Sequence, residues 1–152
     1  MDSRISAHPS VNFLVIVNPN SGPGGIPLPS HDYVREVPKL NTQANVVTVG
    51  YIRIDYCRKP LTEVFEEIDT YAGWASASEN PLLYVKGILV DETPNHYSPE
   101  RAEYLEALRK HIKNTDGLRG ERLVRALSHP FLSFPTQFLK GAKKRGPLVS
   151  DV

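Results

Sequence analysis

The chain is short of sulfur, of net charge and of long apolar runs. Its 152 residues include one cysteine, Cys57, one methionine and one tryptophan. A lone cysteine excludes an intramolecular disulfide and any metal site assembled from several thiolates. The five histidines, His8, His31, His96, His111 and His129, show no metal-ligand spacing and no His-Glu-x-x-His pattern, so no metal and no cofactor is expected. Lys and Arg number 18 against 17 Asp and Glu, a formal net charge of +1. No global field draws such a chain onto nucleic acid or anionic lipid. The longest apolar run near the N-terminus, Phe13 to Val17, is too short for a membrane span or for the central region of a secretory signal.

What is present is a globular composition, with 40% hydrophobic and 23% charged residues, and a repeating strand–loop–helix rhythm. FLVIV at 13–17 is β-branched and continuous, as suits a parallel strand buried on both faces. It is stopped by a loop dense in turn formers, Asn18-Pro19-Asn20-Ser21-Gly22-Pro23-Gly24-Gly25. A helix is predicted from about Asp32 to Leu40, with Tyr33, Val34, Val37 and Leu40 on one side, and Pro38 makes it short or kinked. A second strand spans Val46 to Ile52. The best helix follows, with Leu61, Val64, Phe65, Ile68, Tyr71 and Ala72 on one face. Pro60 suits its first position, and Thr62 is an alternative cap.

The third strand is read as Leu82 to Val90. Ser98-Pro99-Glu100 is a strong helix start, and Ala102, Leu105, Leu108 and Ile112 form the buried stripe that follows. Arg122 to Leu127 reads as a fourth strand. This alternation means a parallel sheet with covering helices, either a doubly wound sheet or part of a (β/α) barrel. Both put functional groups in the loops after the C-terminal strand ends. From Ser128 to Val152 the period is lost. Residues 128–152 are expected to be an irregular, disordered tail on a domain of residues 1–127. Lys140, Lys143, Lys144 and Arg145 then form a solvated cluster rather than a nucleic-acid patch.

Three strand ends carry polar groups that suit a site. The loop after the first strand has glycines, yet it lacks the lysine of a phosphate loop, and its prolines remove backbone donors. It reads either as a purely structural turn or as a rigid turn presenting Asn18 and Asn20. The second strand end supplies Tyr51, with Arg53, Asp55 and Tyr56 beyond. A tyrosine ring face with its hydroxyl matches a pyranose, although for any single tyrosine core packing or surface exposure is the preferred reading. The third strand, Gly87-Ile88-Leu89-Val90, ends in Asp91 and Glu92. Carboxylates at the mouth of a sheet can act as acid, base or nucleophile, and a glycosidase needs two of them across the scissile bond. An acidic loop leading into the next helix is the plainer alternative. His96, four residues after Glu92, is either within reach of such a site or a loop decoration.

VIVNPNSGPG at 15–24, VVTVGYIRIDY at 46–56, LTEVFEEIDTYAGW at 61–74 and GILVDE at 87–92 resemble, in order and spacing, the spherulin-4 family, also called spherulation-specific family 4. The resemblance covers about Asn12 to Val124. It implies a (β/α)8 TIM barrel with glycoside hydrolase activity on a galactosamine-containing exopolysaccharide, in secreted or surface-anchored proteins. It maps the family's acidic pair onto Asp91 and Glu92 as catalytic residues. Its other motifs fall on Asn18 to Gly24 and on Gly50 and Tyr51, making Asn18, Asn20 and Tyr51 substrate-binding.

Family members also use a glutamate on a later strand, for which this chain has no matching region. The residues after Val124 diverge from the pattern, and three or four units do not close an eight-stranded barrel, which takes roughly 200 residues or more. A truncated coding sequence, read through an unspliced segment after Leu123, is the expectation. The primary reading is therefore an endo-acting glycoside hydrolase with a polysaccharide substrate, in which the chain as written hydrolyses weakly or not at all. A non-catalytic carbohydrate-binding or cell-surface protein is the first alternative, and a small doubly wound domain with an unrelated ligand is the second.

Overall fold

A computed structural model describes residues 2–119 and 123–126. The residues form an α/β fold of four parallel strands alternating with helices. Helix α1 (Asp2–Ala7) precedes β1 (Phe13–Val17) and α2 (His31–Asn41). Then come β2 (Val46–Arg53), a short 3-10 turn (Asp55–Cys57), α3 (Leu61–Ala77), β3 (Gly87–Asp91), α4 (Pro99–Asn114) and β4 (Leu123–Ala126). The strand order is β1-β2-β3-β4. A doubly wound sheet reverses its order at a switch point, and no reversal occurs among the described strands. The unreversed order resembles part of a (β/α)8 barrel. Among the described residues no helix is long and apolar enough to cross a membrane.

Register determines which side chains share a face. Val15 pairs with Thr48, Val17 with Gly50, Gly50 with Ile88, and Ile52 with Val90. Val17, Ile52, Ile88 and Val90 pack in one buried cluster with Val37 of α2, with Val64, Ile68, Tyr71 and Trp74 of α3, and with Leu108 and Ile112 of α4. Right-handed crossovers in an unreversed sheet send every helix to the same side. The run at 13–17 was expected to be buried on both faces, and that expectation fails. Leu14 and Ile16 are 41% and 49% exposed, because among the described residues no helix packs on their side of β1. A smaller cluster of Ile5, Leu40 and Val46, with Phe13 and Val15 against it, ties α1 to the sheet.

Several expected boundaries shift. Helix α2 runs three residues past Pro38 before it stops. Pro60 is the residue before the first turn of α3, and Thr62 lies inside the helix rather than capping it. Ser98 caps α4 as expected, accepting the Arg101 N–H at 3.2 Å with Pro99 at the first position. The third strand is shorter than expected. Residues 82–86 are not strand, because the Asn41 carboxamide donates to the carbonyls of Leu82 and Tyr84, each at 2.8 Å. Helix α1 was not anticipated. The expected tail and its basic cluster lie outside the described residues.

Tyr71 welds α3 to the sheet. Its hydroxyl lies 2.8 Å from the Val17 carbonyl and 3.0 Å from that of Tyr51, so its one hydrogen serves these two acceptors. It also accepts the Tyr51 N–H at 3.2 Å. The ring fills the space over Gly50, where a Cβ would meet three ring atoms at 2.9 Å. Glycine at position 50 is thus required by close approach, not by backbone angle.

Candidate functional site

Parallel strands deliver their following loops to one end of the sheet. Asn18 follows β1, Tyr51 and Arg53 lie at the C-terminal end of β2, Asp91 closes β3, and Glu92 comes next. Tyr51 pairs with Leu89, and Arg53 with Asp91. Tyr51 and Asp91 are therefore two rungs apart on the same face, the one turned away from the helices. At that separation the phenol reaches the carboxylate, and Tyr51 donates to Asp91 Oδ2 at 2.7 Å. The other oxygen, Oδ1, accepts the Glu92 N–H at 2.7 Å. Both carboxylate oxygens of Asp91 are thus fixed by neutral donors. The Asp91 bond, then burial, pushes the Tyr51 phenol up to about 12, since the hydrogen bond favours its protonated form.

Glu92 is held differently. Its backbone sits at φ +55°, a left-handed conformation that costs a non-glycine residue roughly 1–2 kcal/mol. This turn releases consecutive carboxylates from strict strand alternation. Glu92 Oε2 lies 3.7 Å from Arg53 Nε, with both side chains partly exposed. Such a pair is worth about 0–1 kcal/mol, so the carboxylate is loosely held. The neighbouring backbone is tied across: Ile54 N–H donates to the Asp91 carbonyl at 3.2 Å, and Tyr56 N–H to that of Glu92 at 2.8 Å.

The asparagines follow β1, one strand from Tyr51 and two from the carboxylates. The Asn18 carboxamide oxygen accepts the Gly22 N–H at 3.1 Å, and its backbone carbonyl accepts the Tyr33 hydroxyl at 2.9 Å. Asn18 therefore closes the turn with its side chain. Ser21, inside this turn, and Gly24, just after it, take left-handed φ values of +50° and +80°. Asn20 is exposed at the loop tip. Neither asparagine hydrogen-bonds Asp91 or Glu92. The structure thus brings Tyr51, Asp91 and Glu92 together and leaves Asn18 and Asn20 beside them. Arg53 is the member of this cluster that sequence reasoning did not single out for a role, although its in-register position opposite Asp91 follows from the strand alignment. Among the described residues no group of three or more His, Cys, Asp or Glu has the arrangement to hold a metal ion.

The family model for spherulation-specific family 4 matches residues 1–127. Spherulin-4 of Physarum polycephalum is 36% identical over 112 residues, which is 74% of this chain and 30% of that protein. Among solved structures, Aspergillus clavatus Sph3 in complex with GalNAc superposes with a TM-score of 0.78 at 43% identity, over 80% of this chain and 48% of that one. The chain thus spans less than half the length of either relative. With the family match running from the first residue through β4, this chain belongs to spherulation-specific family 4.

Proposed function

We propose that the chain carries a glycoside hydrolase site for a galactosamine-containing polysaccharide, with Asp91 and Glu92 as its carboxylates. The observation that carries this reading is the 43% identity to a protein crystallised with GalNAc. The local geometry supports it. Asp91, with both oxygens anchored, is an oriented acceptor for a sugar hydroxyl or amide. Glu92, loosely held beside Arg53, has the freedom to approach a glycosidic oxygen as general acid or base. Tyr51 orients Asp91 and lends a ring edge to the sugar, and the Asn18–Asn20 turn walls the cleft. A polysaccharide substrate goes with a secreted or cell-surface protein.

Hydrolysis needs a second carboxyl across the scissile bond, about 5–5.5 Å away for retention or about 6.5–9.5 Å for inversion. Adjacent residues at one strand end stand on the same side of that bond. The placement of both carboxylates at the end of one strand favours a second reading, carbohydrate binding without turnover. One experiment separates the two. The chain and its Glu92→Gln and Asp91→Asn variants are titrated with a galactosamine-rich oligosaccharide and assayed for release of reducing ends. Binding together with carboxylate-dependent release supports the hydrolase, and binding without release supports the second reading. Neither binding nor release would sink both.

A further inference from the structure

Against the turn that follows β1 lies an ion pair outside the acidic site. Glu67 of α3 accepts from Lys59 Nζ at 2.5 Å, and the two side chains are only 24% and 19% exposed. Lys59 is tied through its backbone as well. Its N–H donates to the Ile54 carbonyl at 3.3 Å, and its own carbonyl accepts the Tyr104 hydroxyl of α4 at 2.7 Å. The second carboxylate oxygen, Glu67 Oε2, is buried and has no hydrogen-bond partner among the described residues. Such an atom is uncommon in a folded protein and calls for a reason. Packing alone would be served as well by an apolar side chain.

The reason lies in what rests on the carboxylate. Gly22 is buried, and a Cβ on it would stand 3.2 Å from Glu67 Oε1 and 3.4 Å from its Cδ. Its φ is not left-handed, so glycine serves close approach here rather than backbone angle. Oε1 is the oxygen that Lys59 grips, which leaves it little room to give way. Gly22 in turn holds both asparagines. Its N–H donates to Asn18 Oδ1 at 3.1 Å, and its carbonyl accepts the Asn20 N–H at 3.4 Å. Four residues along α3 from Glu67, on the same helix face, Tyr71 binds the carbonyls of Val17 and Tyr51. One face of α3 thus contacts β1, the turn after it and β2.

We infer that Glu67 is a positioning residue for the sugar cleft. Held by Lys59, its carboxylate is the seat that sets where Gly22 stands, and through Gly22 the placing of Asn18 and Asn20. The inference rests on the carbohydrate reading of that cleft. Glu67 acts through the turn and touches no sugar itself. Such a residue works by distance, since displacing a group against a substrate by about 1 Å can cost about a hundredfold. The ion pair suits the task. It fixes the direction of the carboxylate, which an apolar side chain at 67 would leave to its rotamers. Because Lys59 follows β2 and Gly22 follows β1, the same carboxylate also holds two strand-end loops at a set spacing.

The test is a double-mutant cycle on Gly22→Ala and Glu67→Asp. It is read by amide resonances of the turn, by affinity for a galactosamine oligosaccharide and by chemical denaturation. Gly22→Ala sets a methyl on the seat, and it is expected to shift the Asn18, Asn20 and Gly24 amides and weaken the sugar about tenfold. Glu67→Asp draws the carboxylate back by one methylene and should weaken the sugar about threefold by itself. In the double variant the methyl fills the space so opened. Its turn amides should return towards the parent, and its affinity to within about twofold, a coupling between touching residues. Additive losses, or turn amides at their parent positions in both single variants, would overturn the seat. So would rescue of stability without rescue of affinity. Should Gly22→Ala not fold, Glu67→Asp alone decides, with displaced turn amides supporting the seat and unmoved ones overturning it. A parent chain that takes no galactosamine oligosaccharide defeats the carbohydrate reading, and the turn amides still judge the seat.

Discussion

The Tyr51 hydroxyl and the Asp91 carboxylate meet at 2.7 Å across β2 and β3, two rungs apart on one face of the sheet. Removing the hydroxyl in Tyr51→Phe frees one oxygen of Asp91, and water can replace the donor at this partly exposed position. Stability should therefore fall by less than about 1.5 kcal/mol. Affinity for a galactosamine oligosaccharide should drop about tenfold as Asp91 loses its orientation. Denaturant melts and ligand titration check the two effects. Binding unchanged from the parent would show that the bond orients nothing.

The phenols of the fold should resist alkali. Of seven tyrosines, Tyr51 is pushed up to about 12 by its bond to Asp91, and Tyr104 to about 12 by burial. Tyr71 is raised further, also by burial. In the unfolded chain all titrate near about 10. Between about pH 10 and 12 the native state holds more protons, so unfolding free energy declines as pH rises. The stabilisation is complete below about pH 10 and lost on passing through about 12. Tyrosinate absorbance of native protein at about pH 11 should fall short of that in urea at the same pH. Coincident curves would contradict these shifts.

Position 92 offers a backbone test. With φ at +55°, alanine is strained there and glycine is not. Glu92→Gly should therefore be more stable than Glu92→Ala by about 1 kcal/mol, although glycine is the more flexible residue when unfolded. Both lose the carboxylate equally, so their difference isolates the left-handed turn. The reverse order by chemical denaturation would place Glu92 in an ordinary strand conformation.

Gly50→Ala should cost about 1–3 kcal/mol as overpacking. The new methyl would meet the Tyr71 ring at 2.9 Å, and that ring cannot withdraw while its hydroxyl is bonded to β1 and β2. A melt within about 0.5 kcal/mol of the parent would mean the ring has room to move.

The parts of this fold that were legible in the sequence are those set by local pattern. β1 was readable from its apolar run, and α4 from its serine cap and following proline. The placing of Asp91 and Glu92 at a strand end followed from where the apolar run stopped. What was illegible depends on distant partners. Residues 82–86 have strand composition, but Asn41, at the end of α2, captures the carbonyls of Leu82 and Tyr84. Helix α1 is short and is tied in by Ile5 against Leu40 and Val46. The turn role of Asn18 was foreshadowed by its Pro-Asn-Ser-Gly setting, whereas the left-handed backbone at Tyr56 and Glu92 has no local mark.

The tryptophan buried beside Tyr71, with ring centres 4.7 Å apart, gives the molecule a built-in optical reporter. Trp74 is the only tryptophan, is fully enclosed and lies on the helix side of the sheet, away from the carboxylates. Its emission should therefore register the docking of α3 and stay silent when a sugar arrives. A fluorescence change on adding saccharide would then signal a rearrangement of the core, and ligand affinity is better followed by calorimetry or by amide resonances at the strand ends.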